Sequence, residues 1–287
     1  MSDKIGVLVI HGMGSQRRGF ANDLIDEISD RLDDDADSLI WREIYWADAL
    51  KPREDELWEW MKKAKEPDGS AIALDWQTIR EFVIHNFGDA AAYHRDSEEK
   101  KGAYSAINGI VSAEVKALKK SLNDADAPMV VVAHSLGAHI MSSYIWDRQH
   151  WKSDAPDKLE TIPNLAGMVT FGCNIPLFSL AFTLAKPIDF PGKGVKKPAL
   201  KAAAKWLNYL DRDDVLGWPL KTLYEKNLNK LNMRQKETVA RIEDHEINVG
   251  SLVTSWNPAA HAGYWTDNDF TRPVGAFLRS VIRAAEA

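Results

Sequence analysis

Apolar residues along the chain fall into two alternating periods. Residues 5–10 and 130–133 are short runs rich in β-branched side chains with no polar alternation, the pattern of strands buried on both faces of a parallel sheet. Residues 39–46, 165–171, 206–210 and 246–249 supply further strands. Between them apolar positions recur at helical spacing. Phe20, Leu24, Ile25, Ile28 and Leu32 form one stripe, and Leu136, Ile140, Met141, Tyr144 and Ile145 another. Residues 53–122 read as several helices carrying Leu57, Trp58 and Met61, then Ile79, Phe82 and Val83, then Ile107, Ile110, Val111, Val115 and Leu118. A last helix is expected to start near Pro273 and to bury Val274, Phe277, Leu278, Val281 and Ile282. Strands alternating with helices predict an α/β fold with a mostly parallel sheet covered on both faces. No repeat or interdomain linker interrupts the pattern, so residues 1–287 are expected to form one domain. Residues 175–200 stand out as a proline-, glycine- and lysine-rich insertion. Its front half, with Ile175, Leu177, Phe178, Leu180, Phe182 and Leu184, suits either a lid and acyl pocket or ordinary core.

Composition narrows the class. A chain of 287 residues can bury a substantial core, and a net charge of −6 argues against nucleic acid or an acidic membrane as main partner. The single cysteine, Cys173, excludes an intramolecular disulfide and disfavours a cysteine metal site. The opening Met1-Ser2-Asp3-Lys4 leads directly into a strand, without the features of a signal peptide. The longest strongly apolar stretch, residues 175–185, contains Pro176 and is too short to span a bilayer. A soluble, cytoplasmic protein is therefore expected. The acidic run Asp33-Asp34-Asp35-Ala36-Asp37 lacks the spacing of a calcium loop and reads as a solvated turn. The eleven tryptophans read as core or lining material.

The candidate chemistry begins where the 130–133 run ends. In Ala133-His134-Ser135-Leu136-Gly137 the period changes from strand to helix at a serine flanked two residues away by small side chains. A serine held at such a corner has its hydroxyl pushed out for nucleophilic attack. The hydroxyl needs an imidazole to take its proton, and the imidazole needs a carboxylate to fix its tautomer. On a sheet of this kind the order is serine, acid, histidine. His11, His85, His94 and His134 precede the serine, and His139 and His150 lie on or near the helix that leaves it. His261, in a loop before the last helix, is the favoured base, with His245 the other candidate. For the acid, the segment around Asp211, Asp213 and Asp214 offers three aspartates. Asp214 is preferred because it directly precedes an apolar turn, and Asp213 stays open. An oxyanion hole needs two backbone N–H groups. That of Leu136 follows the serine, and that of Met13 lies in the glycine-rich turn His11-Gly12-Met13-Gly14. That turn lacks the third glycine of a dinucleotide fingerprint, and Gly192-Lys193-Gly194 lacks the frame of a phosphate loop.

These segments together resemble the α/β-hydrolase superfamily, in particular its lipase- and esterase-like members. Ile10-His11-Gly12-Met13-Gly14 is similar to their oxyanion loop and Ala133-His134-Ser135-Leu136-Gly137 to their nucleophile elbow. Thr170-Phe171-Gly172 resembles the strand end that often follows in lipases, and His261-Ala262-Gly263-Tyr264-Trp265 their histidine loop. The likeness of residues 208–219 to the acid loop favours Asp214. Ala133 stands where glycine is usual, as in some esterases. The first two strands of the full fold have no counterpart, which implies a reduced sheet of about six strands. The resemblance implies a serine hydrolase acting on a small-molecule or lipid-like carboxylic ester. Its triad would be Ser135, Asp214 and His261, its oxyanion donors Met13 and Leu136, with no metal or organic cofactor. Acyl transfer, thioester or amide cleavage on the same machinery, and a non-catalytic binding protein, are the alternatives. The helical block at 53–122 and the 175–200 insertion are expected to cover the site.

Overall fold

The computed structural model describes residues 4–14, 16–93, 102–124, 126–150, 160–249, 261 and 263–287. Ser15, His94, the loop around Pro156, Ala262 and residues 255–260 of the histidine loop lie outside the described residues, as does the side chain of Phe82. Six strands form one sheet: β1 (Ile5–Ile10), β2 (Leu39–Ile44), β3 (Met129–His134), β4 (Leu165–Phe171), β5 (Lys205–Asp211) and β6 (Ile242–Ile247). Their order is β2-β1-β3-β4-β5-β6, and every pairing is parallel.

The pleat explains why the central strands lack polar alternation. Leu8, Ile10, Met129, Val131 and Ala133 point into one apolar cluster, while Ile5, Val7, Val9, Val130 and Val132 point into the other. The first cluster is closed by α4 (Ala103–Leu122) and α5 (Leu136–His150). The second is closed by α1 (Asn22–Leu32) and α10 (Asn268–Glu286). The acidic run forms a 3₁₀ turn over Asp33–Ser38. Asp33, Asp34 and Asp37 are exposed, as expected of a solvated turn, while Arg279 of α10 bonds Asp35 Oδ2 at 2.9 Å and the Arg31 carbonyl at 2.8 Å, tying α10 to α1. Among the described residues no helix is long and apolar enough to cross a membrane.

Several expectations need correction. β6 lies at Ile242–Ile247, so His245 is inside the strand and not before it. Its sequence Ile-Glu-Asp-His-Glu-Ile shows no apolar run because it is an edge strand. Its polar groups are spent locally: Asp244 accepts from Asn208 Nδ2 and from the N–H groups of Leu220 and Lys221. α10 starts at Asn268, capped by Asp267, and Pro273 sits within it. Near the start of the helix the missing proline N–H costs a single intrahelical bond, to the carbonyl of Asp269, and the buried stripe that follows outweighs it.

The 53–122 block also divides. α4 is a regular core helix, with Ile107, Val111, Val115 and Leu118 fully buried. In contrast, α2 (Lys51–Lys62) and α3 (Gln77–Ala92) leave Leu57, Trp60, Met61, Ile79, Val83 and Phe87 exposed. In the 175–200 segment, Ile188, Phe190 and Val195 are core. Leu177, Leu180 and Phe182 are exposed and so are not ordinary core. Tryptophan likewise serves two ends: Trp46, Trp58 and Trp206 are buried, while Trp60, Trp76 and Trp218 face solvent.

Candidate active site

The sheet order places β1 beside β3, with the chain departing to one side for β2 and to the other for β4. Connections from two neighbouring strands that leave in opposite directions open a crevice at their carboxyl ends. The loop after β1 and the corner after β3 meet in that crevice.

The corner is tight. Ser135 has a φ of 50° and is fully buried, with its N–H donating to the Phe171 carbonyl at 3.0 Å. A non-glycine residue in the left-handed region stores about 1–3 kcal/mol of strain, which the surrounding structure must over-determine. Helix α5 starts at the next residue and passes directly over the end of β1. A Cβ built on Gly137 would stand 2.5 Å from the His11 carbonyl oxygen. Backbone cannot retreat as a flexible side chain does, so Gly137→Ala is expected to destabilise the protein by about 2 kcal/mol. A lowered urea midpoint with an unchanged denaturant slope would register this. The alanine two residues before the serine meets no such obstacle, since Ala133 packs in the core cluster.

The turn after β1 lies against the serine: a Cβ on Gly12 would approach Ser135 Cβ to 2.7 Å and His134 Nδ1 to 2.8 Å. His11 shapes this turn. Its Nδ1–H donates to the Gly12 carbonyl at 2.7 Å, and its Nε2 accepts the Trp46 N–H at 3.0 Å. The indole of Trp46 stacks on the imidazole and donates to the His11 carbonyl. Burial lowers the His11 pKa to about 4, so the ring is neutral and this tautomer is the one both bonds require. Met13 follows within the turn and is half-buried.

His261 joins the two remaining groups. Its Nε2 lies 2.6 Å from Ser135 Oγ, and its Nδ1 lies 2.9 Å from both carboxylate oxygens of Asp214. A carboxylate can only accept, so Nδ1 carries the proton and Nε2 is free to take one from the hydroxyl. Asp214 is further held by the Leu216 N–H at 2.9 Å and the Tyr264 hydroxyl at 2.9 Å. Burial alone would raise its pKa, but the hydrogen bond and charge of His261, with those two donors, bring it below the usual carboxylate range. The neighbouring aspartates are otherwise occupied. Asp213 is exposed, and Asp211 accepts the N–H groups of Asp213 and Val249. His245 stacks on Tyr209 at the sheet edge, and His139 stacks on Phe178. Ser135, His261 and Asp214 therefore stand together, with Leu136 and the Met13 turn beside them.

Three residues act here that spacing did not single out. His134, next to the serine, donates Nε2–H to the His261 carbonyl at 2.8 Å, and its ring lies 4.7 Å from that of His261. Burial, with the neighbouring His261 ring, lowers its pKa to about 3, which keeps it a neutral clamp and not a base. Tyr264 accepts the Asp211 N–H while donating to Asp214, which fixes the acid turn to the histidine loop. Asn174 is fully buried beneath the corner. With its amide turned to match donors to acceptors, it donates to the Ser135 carbonyl at 3.0 Å and accepts the Leu136 N–H at 3.3 Å. All three roles depend on side chains meeting in space, and no sequence pattern signals them. Among the described residues no group of three or more histidine, cysteine, aspartate or glutamate side chains is arranged to hold a metal ion.

The fold and site define an α/β protein with a buried serine–imidazole–carboxylate chain at the carboxyl ends of an all-parallel sheet. No protein-family model matches the sequence, and no curated protein matches it at a significant level.

Proposed function

We propose that this protein is a serine hydrolase of carboxylic esters, with an α/β-hydrolase arrangement and Ser135, His261 and Asp214 as its triad. The hydrogen-bonded sequence from Asp214 through His261 to Ser135, at 2.9 and 2.6 Å, carries the reading. A binding protein has no need for an imidazole poised between a carboxylate and a strained serine.

In the proposed reaction Ser135 Oγ adds to the ester carbonyl as its proton passes to His261 Nε2. Asp214 stabilises the resulting imidazolium. The carbonyl oxygen becomes an oxyanion, and in this reading the N–H groups of Met13 and Leu136 receive it. The bond between Leu136 N–H and Asn174 is long, and a charged oxygen competes for that donor on favourable terms. Collapse of the intermediate breaks the carbon–oxygen bond to the alcohol, which leaves with the proton from His261. Water, deprotonated by the same imidazole, then releases the acid and restores the serine. Leu177, Leu180 and Phe182, exposed on the segment that follows Asn174, favour an apolar acyl group.

A fluorophosphonate probe tests the nucleophile. Stoichiometric labelling of the wild type and none of Ser135→Ala is the expected result; no adduct on the wild type, or an adduct on the variant, overturns it. Rates on p-nitrophenyl esters should rise with acyl chain length, and a flat series would remove the apolar acyl pocket. Cleavage of thioester or amide analogues at equal efficiency would move the substrate class and leave the triad in place.

A further inference from the structure

Next to the glycine turn stands a carboxyl pair that the proposed reaction does not use. Asp89, on α3, is buried, and its Oδ2 accepts the Gly14 N–H at 2.7 Å. This bond ties the α2–α3 pair to the turn that carries Met13. Beside it, on α2, lies Glu54. Glu54 Oε2 is held by His85 Nδ1 at 3.0 Å, whereas Oε1 is buried and has no hydrogen-bond donor while both acids are ionised. An orphaned buried carboxylate oxygen costs the full desolvation of a charged acceptor. A proton on Asp89 removes that cost, because the acid O–H then donates to Glu54 while the other oxygen keeps the Gly14 N–H.

We propose that Asp89 is a positioning residue that fixes the oxyanion turn through Gly14, and that it works as the neutral acid of a pair with Glu54. This rests on the hydrolase reading above. Burial first, and then the facing Glu54 charge and hydrogen bond, raise the Asp89 pKa to about 8, against the opposing pull of the Gly14 N–H. Among the described residues, Glu54 faces it from α2, His85 of its own helix holds Glu54 and reaches Asp55 at 3.7 Å, Asn86 of the same helix lies against Gly14, and the turn presents the Gly14 amide. Above that pH both acids are charged. Their repulsion pushes Asp89 from the turn and sets a second negative charge beside the site where an oxyanion must form.

Asparagine at 89 is the permanent mimic of the neutral acid, since it accepts from Gly14 and donates to Glu54. The test compares wild type, Asp89→Asn and Asp89→Ala on p-nitrophenyl butyrate from pH 6 to pH 10, with fluorophosphonate labelling and thermal melting in parallel. The wild type should lose kcat on the alkaline side with a midpoint near pH 8. Asp89→Asn should keep kcat within about twofold at pH 7 and lack that alkaline loss, while Asp89→Ala loses roughly tenfold in kcat with little change in KM. An alkaline loss that persists in Asp89→Asn, or equal damage from Asn and Ala, overturns the proposal. If Asp89→Ala fails to fold, the pH profile of Asp89→Asn decides alone. Failure of the hydrolase reading shows itself separately, as a wild type that takes no fluorophosphonate, and the proposal then falls with it.

Discussion

Ser135→Ala is expected to lower ester turnover by about 10⁶-fold, close to the loss seen when a whole triad is removed. The size of the effect follows from how the three groups depend on one another. His261 Nε2 has Ser135 Oγ as its partner at 2.6 Å, and without that oxygen the imidazole has no hydroxyl proton to take and Asp214 no imidazolium to stabilise. What survives is binding and the two backbone N–H donors, worth roughly 10³–10⁴ over water. The fold should tolerate the change, because alanine resembles serine in its cost at a φ of 50° and the Ser135 N–H keeps its bond to Phe171. The measurement is kcat on purified variant against a matched blank, with far-ultraviolet circular dichroism as the folding control. Residual activity above about one part in a hundred would place the nucleophile elsewhere.

The second large effect separates two adjacent aspartates. Asp214→Asn should cost about 10⁴ in kcat, whereas Asp213→Asn should stay within about twofold. An amide at 214 can keep its oxygen on the Leu216 N–H, which meets Oδ1, and then sets its NH₂ at the Oδ2 position, facing the Tyr264 hydroxyl and His261 Nδ1. The imidazole must answer by accepting there, which moves its proton to Nε2 and leaves no base facing the serine. Asp213 is exposed on the turn and meets none of these groups. Steady-state kinetics of the two variants on one ester checks the ranking, and the reverse order would reassign the acid.

Legibility in the sequence tracked how far each feature depends on local pattern. The central strands were readable because burial on both faces writes an uninterrupted apolar run, as at Val130–Val132. The corner at Ser135 was readable because the change of period and Gly137 both sit within a few residues of it. β6 carries no apolar signature, because it is an edge strand whose polar residues pair sideways with Asn208 and the 220–221 amides. Pro273 reads as a first-turn residue, yet the cap at Asp267 and the packing of Phe270 start α10 earlier. Within the site, order along the chain selected His261 and an acid in the 211–214 turn. The clamps at His134, Tyr264, Asn174 and Asp89 lie beyond sequence reasoning, since each acts on a partner brought near only by the folded sheet.

Among its described side chains the α2–α3 pair buries little apolar surface, Trp58 on α2 being the main contribution. Segments of that kind open and close at free energies well below that of global unfolding. Because Asp89 belongs to this pair and Gly14 to the turn, each opening event also frees the turn. Local breathing of two surface helices would then set the fraction of molecules competent for chemistry at any moment. Substitutions such as those at Trp60 or Phe87 would tune that fraction while leaving the cooperative melting of the sheet where it was.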